Sequence, residues 1–232
     1  MMSSTRNAPS ASKRAAVRAN RRPRRQSLLD AAYEAIKHRI ITCRFKPGEC
    51  VNEAGISAVL GFGRSPVNKA LDRLMLEDMV EVVPRKGVII KPVILHEVLQ
   101  LIDARLVNDV HCARLAAERA GVSDIAKLAE IVSRARRSLA AGQTQKMMLL
   151  DREFHLVLAG ATTNPVFTEV VRKLGERSLR FWFISFTGPE QVSLQQQHEA
   201  VFAAVRDHDP DGAETAMHHH IAFIRKSVTR QL

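Results

Sequence analysis

The spacing of the apolar residues changes twice along this chain, and that pattern constrains the fold more than any other feature of the sequence. From Leu29 to Leu74 they recur at intervals of three and four residues, as on one face of an amphipathic helix. Between Val80 and Ile90 they alternate, which is typical of strands. From about His96 onward the helical spacing returns, with no second strand pattern. The sequence therefore predicts a mostly α chain interrupted by one β-hairpin.

Three predicted helices precede this hairpin. The first begins near Leu29 and ends at Lys46-Pro47-Gly48, and the second runs from Glu53 to Leu60. Gly61 follows the second helix and suits a left-handed cap. The hairpin turns at the basic, glycine-containing segment Pro84-Arg85-Lys86-Gly87. Three helices and a hairpin within about 65 residues outline a winged helix-turn-helix.

The third helix has the clearest predicted start. Ser65 is expected to be its N-cap and Pro66 its first helical residue. Four apolar residues at helical spacing then form one buried face; they are Val67, Ala70, Leu71 and Leu74.

Burial of that face leaves a polar surface that is suited to reading DNA. Asn can pair with adenine and Arg with guanine through two hydrogen bonds each, and a helix in the major groove usually reads bases from its N-terminal turn. In the hairpin, basic side chains can bind phosphate or enter the minor groove, while Gly87 permits a tight turn. The predicted DNA-binding residues are Arg64, Ser65, Asn68, Lys69, Arg73, Arg85, Lys86 and Gly87. The alternative is a small helical domain whose charged face is merely solvated.

The net charge of +11 lies mostly in a tail. Residues 1–26 carry eight basic and no acidic side chains, residues 27–94 carry ten and eight, and residues 95–232 carry seventeen and sixteen. The tail lacks apolar periodicity, so we expect it to be disordered, with an organellar transit peptide as the alternative. No apolar stretch is long enough to cross a membrane. Three cysteines in no metal-binding spacing favour buried thiols in the cytoplasm.

Residues 95–232 are predicted to form about six helices, the lengths of which suit a bundle. Asp151 and His155 lie four residues apart on one predicted helix, so both project from the same face. His198 and His220 are each eleven residues from Asp209, so an antiparallel hairpin turning there would place both imidazoles at one height. One carboxylate and three imidazoles suit zinc first, with nickel, manganese or iron as alternatives. An ordinary surface pair of Asp151 and His155 is the simpler interpretation.

The N-terminal motifs resemble the winged helix-turn-helix of the GntR family of bacterial transcription regulators. The resemblance implies operator binding by a dimer, with Arg64 contacting DNA and Gly87 approaching it. Ala54 stands where the family commonly has a basic residue, and Asn68-Lys69 stands where it commonly has Arg-Glu, so the usual operator sequence is not expected. The matching segments are Phe45-Lys46-Pro47-Gly48-Glu49, Asn52-Glu53, Leu60 to Leu71, Leu74 and Val80 to Gly87.

The C-terminal motifs resemble the FCD effector domain found in the FadR-type branch of the same family. That domain is all-helical, and many members hold a divalent metal with one Asp and three His. Alignment with the motif identifies His220 rather than its neighbours as the third histidine, and it implies that Arg105 points into an effector cavity. A structural ion pair between Arg105 and Asp109 is the alternative. The matching segments are Asp151 to His155, Asn164-Pro165, Gln197-His198-Glu199 and Ala216 to Ile221.

These observations predict a disordered basic tail over residues 1–26, a winged helix-turn-helix DNA-binding domain over 27–94, and an all-α effector-binding and dimerisation domain over 95–232. The predicted function is transcription regulation in which a small organic acid, bound at the metal, modulates binding to an inverted-repeat operator. A bidentate contact from Arg105 suits a carboxylate. The alternatives are a metal-dependent hydrolase or isomerase acting on a small carboxylate and a general nucleoid-type DNA binder.

Overall fold

The computed structural model describes residues 27–185 and 188–230, which are largely helical and confirm the predicted fold class. The basic tail of residues 1–26 lies outside the described residues. Three strands form the small sheet: β1 (Cys50–Val51), β2 (Val80–Val83) and β3 (Gly87–Ile90). The helices are α1 (Leu28–Ile41), α2 (Glu53–Leu60), α3 (Arg64–Leu76), α4 (Leu95–Arg119), α5 (Val122–Ala140), α6 (Thr144–Ala161), α7 (Pro165–Ser185), α8 (Gly188–Arg206) and α9 (Pro210–Thr229).

The N-terminal unit, α1–α3 with β1–β3, packs around one apolar core. The four predicted core positions of α3 are at most 2% exposed and pack with Tyr33 and Ile36 of α1. The sheet order is β1-β3-β2, and both pairings are antiparallel. Strand β1 was not predicted because two residues are too few to show alternation. Cys50 lies on this edge strand and is exposed, so its predicted burial was wrong, whereas Cys112 is buried and Cys43 half-buried.

The predicted end of α1 was also wrong, whereas both ends of α2 were right. Helix α1 ends at Ile41, several residues before Lys46-Pro47-Gly48, because Cys43 takes a left-handed conformation with φ of 53°. The turn directs Phe45 into the core, where it is 8% exposed. Gly61 caps α2 in the left-handed region, as predicted, with φ of 71°.

Helix α3 begins two residues earlier than predicted. Arg64 is its first residue and Gly63 its N-cap, so Ser65 does not cap the helix through its side chain. The first helical hydrogen bond runs from the Val67 amide to the Gly63 carbonyl over 3.4 Å. Pro66 therefore stands third in the helix, where a missing N–H costs no hydrogen bond. The Ser65 side chain is exposed and not committed to a cap.

Gly87 is required by its surroundings as well as by its backbone conformation. Its φ is 109°, which L side chains rarely adopt, and Arg85 in the hairpin turn has a left-handed φ of 65°. A Cβ atom at Gly87 would lie 2.7 Å from the Val51 carbonyl oxygen of β1. The glycine thus lets β3 approach the edge strand, in addition to permitting the turn.

We expect Gly87→Ala to destabilise the protein about 1–3 kcal/mol more than Gly61→Ala does, because Gly61 has open space around its Cβ position. Both substitutions introduce strain at a positive φ, of about 1–2 kcal/mol in the left-handed region. The larger loss at Gly87 combines its more unusual φ of 109° with the clash with Val51. Urea denaturation of both variants measures it. Equal urea midpoints and slopes for the two variants would show that β1 moves away from the added methyl group at no cost in stability.

The helical bundle consists of α4–α9, as predicted. Helix α4 packs against α6, α7, α8 and α9, and α8 packs along α9 after the turn that precedes Pro210. Within the described ranges, no helix combines the length and apolar character needed to cross a membrane. The bundle brings residues of α4, α6, α8 and α9 together at its centre.

Candidate functional site

The predicted DNA-reading residues of α3 and the hairpin lie at the surface. Arg64, Ser65, Asn68, Lys69 and Arg73 are exposed along α3. At the hairpin turn, the side chains of residues 85 and 86 are exposed as well, whereas residue 87 is half-buried.

Most of the basic side chains on this surface form no ion pair with another described residue. The guanidinium carbon of Arg73 lies 3.7 Å from the Tyr33 ring centroid, and its nitrogens lie 3.5 Å from Asp30 and 3.8 Å from Glu77. No ion pair to another described residue involves the remaining cations; these are Arg64, Lys69, Arg85 and Lys86. The surface therefore offers four cations without an ion pair to a polyanion such as DNA. Arg73, in contrast, already contacts side chains of the N-terminal unit.

A second group of predicted residues meets inside the bundle. Asp151 and His155 come from α6, His198 from α8 and His220 from α9. Their exposures are 6, 5, 3 and 0%, respectively, and one potential ligand atom from each lies within 4.8 Å of all the others. The simpler interpretation of Asp151 and His155 as a surface pair is therefore wrong.

The hairpin of α8 and α9 explains how residues far apart in sequence meet. The ring centroids of His198 and His220 lie 4.5 Å apart, in agreement with their equal distance from Asp209. His218 and His219 are exposed, because successive helix positions rotate by about 100°. Only one histidine of the triplet can therefore join the cluster.

Two neighbours contact the Nδ1 atoms of the imidazoles, one through a hydrogen bond (Gln197) and one through a longer polar contact (Asp109). Neither residue was assigned this role from the sequence. Gln197 Oε1 lies 3.1 Å from His220 Nδ1, and Asp109 Oδ2 lies 3.4 Å from His155 Nδ1. These contacts direct both Nε2 atoms toward the cluster. Asp109 could have been suspected from its position four residues after Arg105, whereas no sequence pattern relates Gln197 to His220.

Burial favours the neutral imidazoles that bind metal ions. It lowers the pKa of His198 to about 3, with a further contribution from Arg105. Burial likewise holds the pKa values of His155 and His220 well below their usual range. For Asp151, burial raises the pKa to about 6 against the opposing charge of Arg105.

The cluster fits a divalent metal ion. His220 Nε2 is buried without a hydrogen-bond partner among the described residues, a costly state that coordination would relieve. His198 Nε2 lies 3.4 Å from His155 Nε2 and 3.3 Å from Asp151 Oδ1. Two ligands bound at about 2.1 Å in tetrahedral geometry are separated by about 3.4 Å. The donor set is therefore compatible with a metal, without identifying which one.

Arg105 joins the cluster from α4. It is 3% exposed, and its Nη2 donates to His155 Nε2 over 3.0 Å. Its Nε donates to Asp109 Oδ2 over 2.8 Å. The inward orientation and the Asp109 ion pair, which the sequence presented as alternatives, therefore occur together.

The chain thus combines a winged helix-turn-helix with a helical bundle that encloses an Asp/His cluster. The family model described as bacterial regulatory proteins, gntR family, matches residues 28–90, and the FCD domain model matches residues 100–223. The chain belongs to the GntR family and carries an FCD domain. It is a DNA-binding transcription regulator and not an enzyme, so the hydrolase or isomerase alternative is set aside.

Individual relatives agree with this assignment. The Nta operon transcriptional regulator of Aminobacter aminovorans is 28% identical over 180 residues, which cover 77% of this chain and 84% of that protein. The HTH-type transcriptional repressor RspR of Escherichia coli is 24% identical over 198 residues, covering 84% and 86%. The solved structure of E. coli McbR/YncC matches with a TM-score of 0.80 at 20% identity, covering 88% of this chain and 98% of that chain. This last likeness shows the shared fold.

Proposed function

We propose that this protein is a metabolite-responsive transcription regulator, in which a small organic acid bound at a metal site modulates operator binding. The observation that carries the proposal is the buried Asp/His cluster with Arg105 against it, in the same chain as an exposed winged-helix surface. Residues 27–94 would bind DNA and residues 95–232 would bind the effector and form a homodimer. The tail of residues 1–26 would add contacts to phosphate.

The operator is a short inverted repeat in double-stranded DNA, because a two-fold dimer presents two copies of α3. Binding takes place in the cytoplasm. In this proposal Arg64, Ser65, Asn68 and Lys69 read the major groove. Arg73 stays partly held by Tyr33 and offers its remaining N–H donors to phosphate. The hairpin residues Arg85, Lys86 and Gly87 contact the backbone or the minor groove.

Asp151, His155, His198 and His220 would hold one divalent ion, with zinc preferred and nickel, manganese or iron as alternatives. When bound, the ion would have to expand its coordination beyond these four side chains to accept the carboxylate of the effector. Arg105 now donates to the lone pair of His155 that a cation needs. Arg105 would release His155 when that lone pair is taken up, and its Nη2 donor would then be free to bind the carboxylate.

Gel-shift titration tests the regulator assignment. The full-length protein should bind a site in its own promoter region in preference to random DNA, near physiological salt and with competitor present. Small organic acids should be screened with metal present for a shift in that affinity. If no promoter fragment were preferred over random DNA, operator recognition by this surface would be refuted.

Asn68→Ala should weaken binding to the operator by about 1–3 kcal/mol and leave binding to random DNA nearly unchanged, because a base contact is lost. Lys13→Ala, in the basic tail, should weaken operator and random DNA alike, because tail contacts are to phosphate. Paired titrations on both DNAs measure the difference. An equal loss on both DNAs from Asn68→Ala would place that side chain away from the bases.

A further inference from the structure

A buried ionic network joins the N-terminal unit to the helical bundle. Its centre is Lys37 of α1, which is 2% exposed. The Lys37 ammonium lies 2.7 Å from Glu176 Oε2 of α7, 2.8 Å from Glu77 Oε2 and 2.7 Å from the Tyr33 hydroxyl oxygen. Glu176 is 4% exposed. Because Glu176 is the partner on α7, moving α7 away from α1 would leave buried charges without partners, which is costly.

The network reaches α3 on one side. Glu77 is the C-cap residue of α3, and its second carboxylate oxygen accepts a hydrogen bond of 2.5 Å from the Tyr33 hydroxyl. The guanidinium of Arg73, on α3, lies over the Tyr33 ring. Burial opposes the charge on Lys37, but its hydrogen bonds to Glu176, Glu77 and Tyr33 raise its pKa above the usual value. Charged Lys37 therefore ties the end of α3 to α7.

On the other side the network approaches the Asp/His cluster. Arg152 directly follows Asp151 on α6, and its Nη2 lies 3.4 Å from Glu176 Oε1. Its Nε is buried without a hydrogen-bond partner among the described residues. A small shift of Asp151 in the cluster would therefore move Arg152 against Glu176.

We propose that the Lys37–Glu176 ion pair links occupancy of the metal site to the placement of α3, and so to operator affinity. This inference rests on the proposed function, because it requires that the Asp/His cluster binds metal and that its state matters for DNA binding. A displacement of Asp151 moves Arg152, which contacts Glu176. Movement of Glu176 then shifts Lys37, which contacts Glu77 at the end of α3. Lys37 is a positioning residue, since it contacts neither the cluster nor the exposed surface of α3.

The chain offers a clean variant and a matched control. Lys37→Met leaves Glu176 paired, because Arg172 lies 2.8 Å and Arg152 3.4 Å from its carboxylate. The control is Arg177→Met, which removes an exposed ion pair of 3.7 Å between α7 and Asp78 at the same junction. Exposed pairs contribute little. Lys37→Gln is a second variant that removes the charge but keeps hydrogen-bond donors.

The experiment measures operator affinity of the full-length protein with one equivalent of Zn²⁺ and with chelator, at constant ionic strength. We expect wild type and Arg177→Met to share one zinc-dependent ratio, within the range of about 5–150-fold that is typical of allosteric coupling. In Lys37→Met the ratio should fall to within about twofold of one. Zinc affinity measured with and without operator must change by the same factor as operator affinity, because coupling is reciprocal.

Each outcome decides a different point. If wild type responds to zinc and both Lys37 variants respond equally, the link through Lys37 is overturned while the proposed function stands. If zinc binds wild type without changing operator affinity, the link and the dependence of DNA binding on the metal both fail. Zinc binding by the Lys37 variants shows that their bundle is intact, and their operator affinity in chelator shows that the N-terminal unit is intact. A lost response to zinc cannot then be attributed to unfolding.

Discussion

The His220→Ala variant is expected to bind divalent metal at least about 100-fold more weakly than wild type, because it removes one of four converging ligands. Even loss of a residue that only orients a ligand typically weakens metal affinity by about 10–100-fold. The His220 ring is fully buried, so no exposed side chain can replace its Nε2. Metal content after purification and zinc titration with a competing chelator measure this loss.

The loss should also appear in stability. A metal present at 100 times its dissociation constant stabilises the folded state by about 2.7 kcal/mol, and His220→Ala should lose nearly all of this zinc-dependent increment. His218→Ala and His219→Ala are matched controls, since both side chains are exposed on the same helix. Both should retain wild-type metal content. Unchanged metal content in His220→Ala and in His198→Ala would eliminate the site.

Arg105→Ala should destabilise the folded protein by about 3–5 kcal/mol, because it leaves the buried Asp109 carboxylate without its charged partner. Asp109 is 2% exposed, and its second oxygen, Oδ1, already lacks a hydrogen-bond partner among the described residues. Arg105→Lys keeps a positive charge beside Asp109 and should be destabilised far less. Urea denaturation of both variants with zinc present measures the difference.

The same two variants test the effector contact. Arg105→Lys should retain the metal yet lose most of the response of operator binding to a carboxylic acid, because an ammonium cannot make the planar two-point contact of a guanidinium. A panel of small mono-, di- and tricarboxylic acids serves as the probe, with operator titration as the readout. A wild-type response in both variants would exclude Arg105 from effector binding and leave it as the partner of Asp109.

The elements that were predictable from sequence depend on local physics. Helix faces such as Val67 to Leu74, the Gly61 cap and the hairpin of Val80 to Ile90 follow from periodicity and backbone preference, which act over a few residues. The errors have local causes as well. Ser65 was assigned as the cap because Pro66 marks a helix start, although the whole first turn tolerates proline.

The sequence by itself determined the two-part helical architecture, the basic character of the exposed surface formed by α3 and the hairpin, and the identity of the four candidate side chains of the cluster. Helical spacing and symmetry about one turn suggested the pairs Asp151–His155 and His198–His220, and the resemblance to the FCD domain selected His220 among its neighbours. Only the tertiary structure decided what surrounds them. Gln197 on His220, Arg105 on His155 and Lys37 between Glu77 and Glu176 depend on how separate helices pack. Such packing depends on contacts between distant parts of the chain. The periodicity within one helix therefore does not predict it.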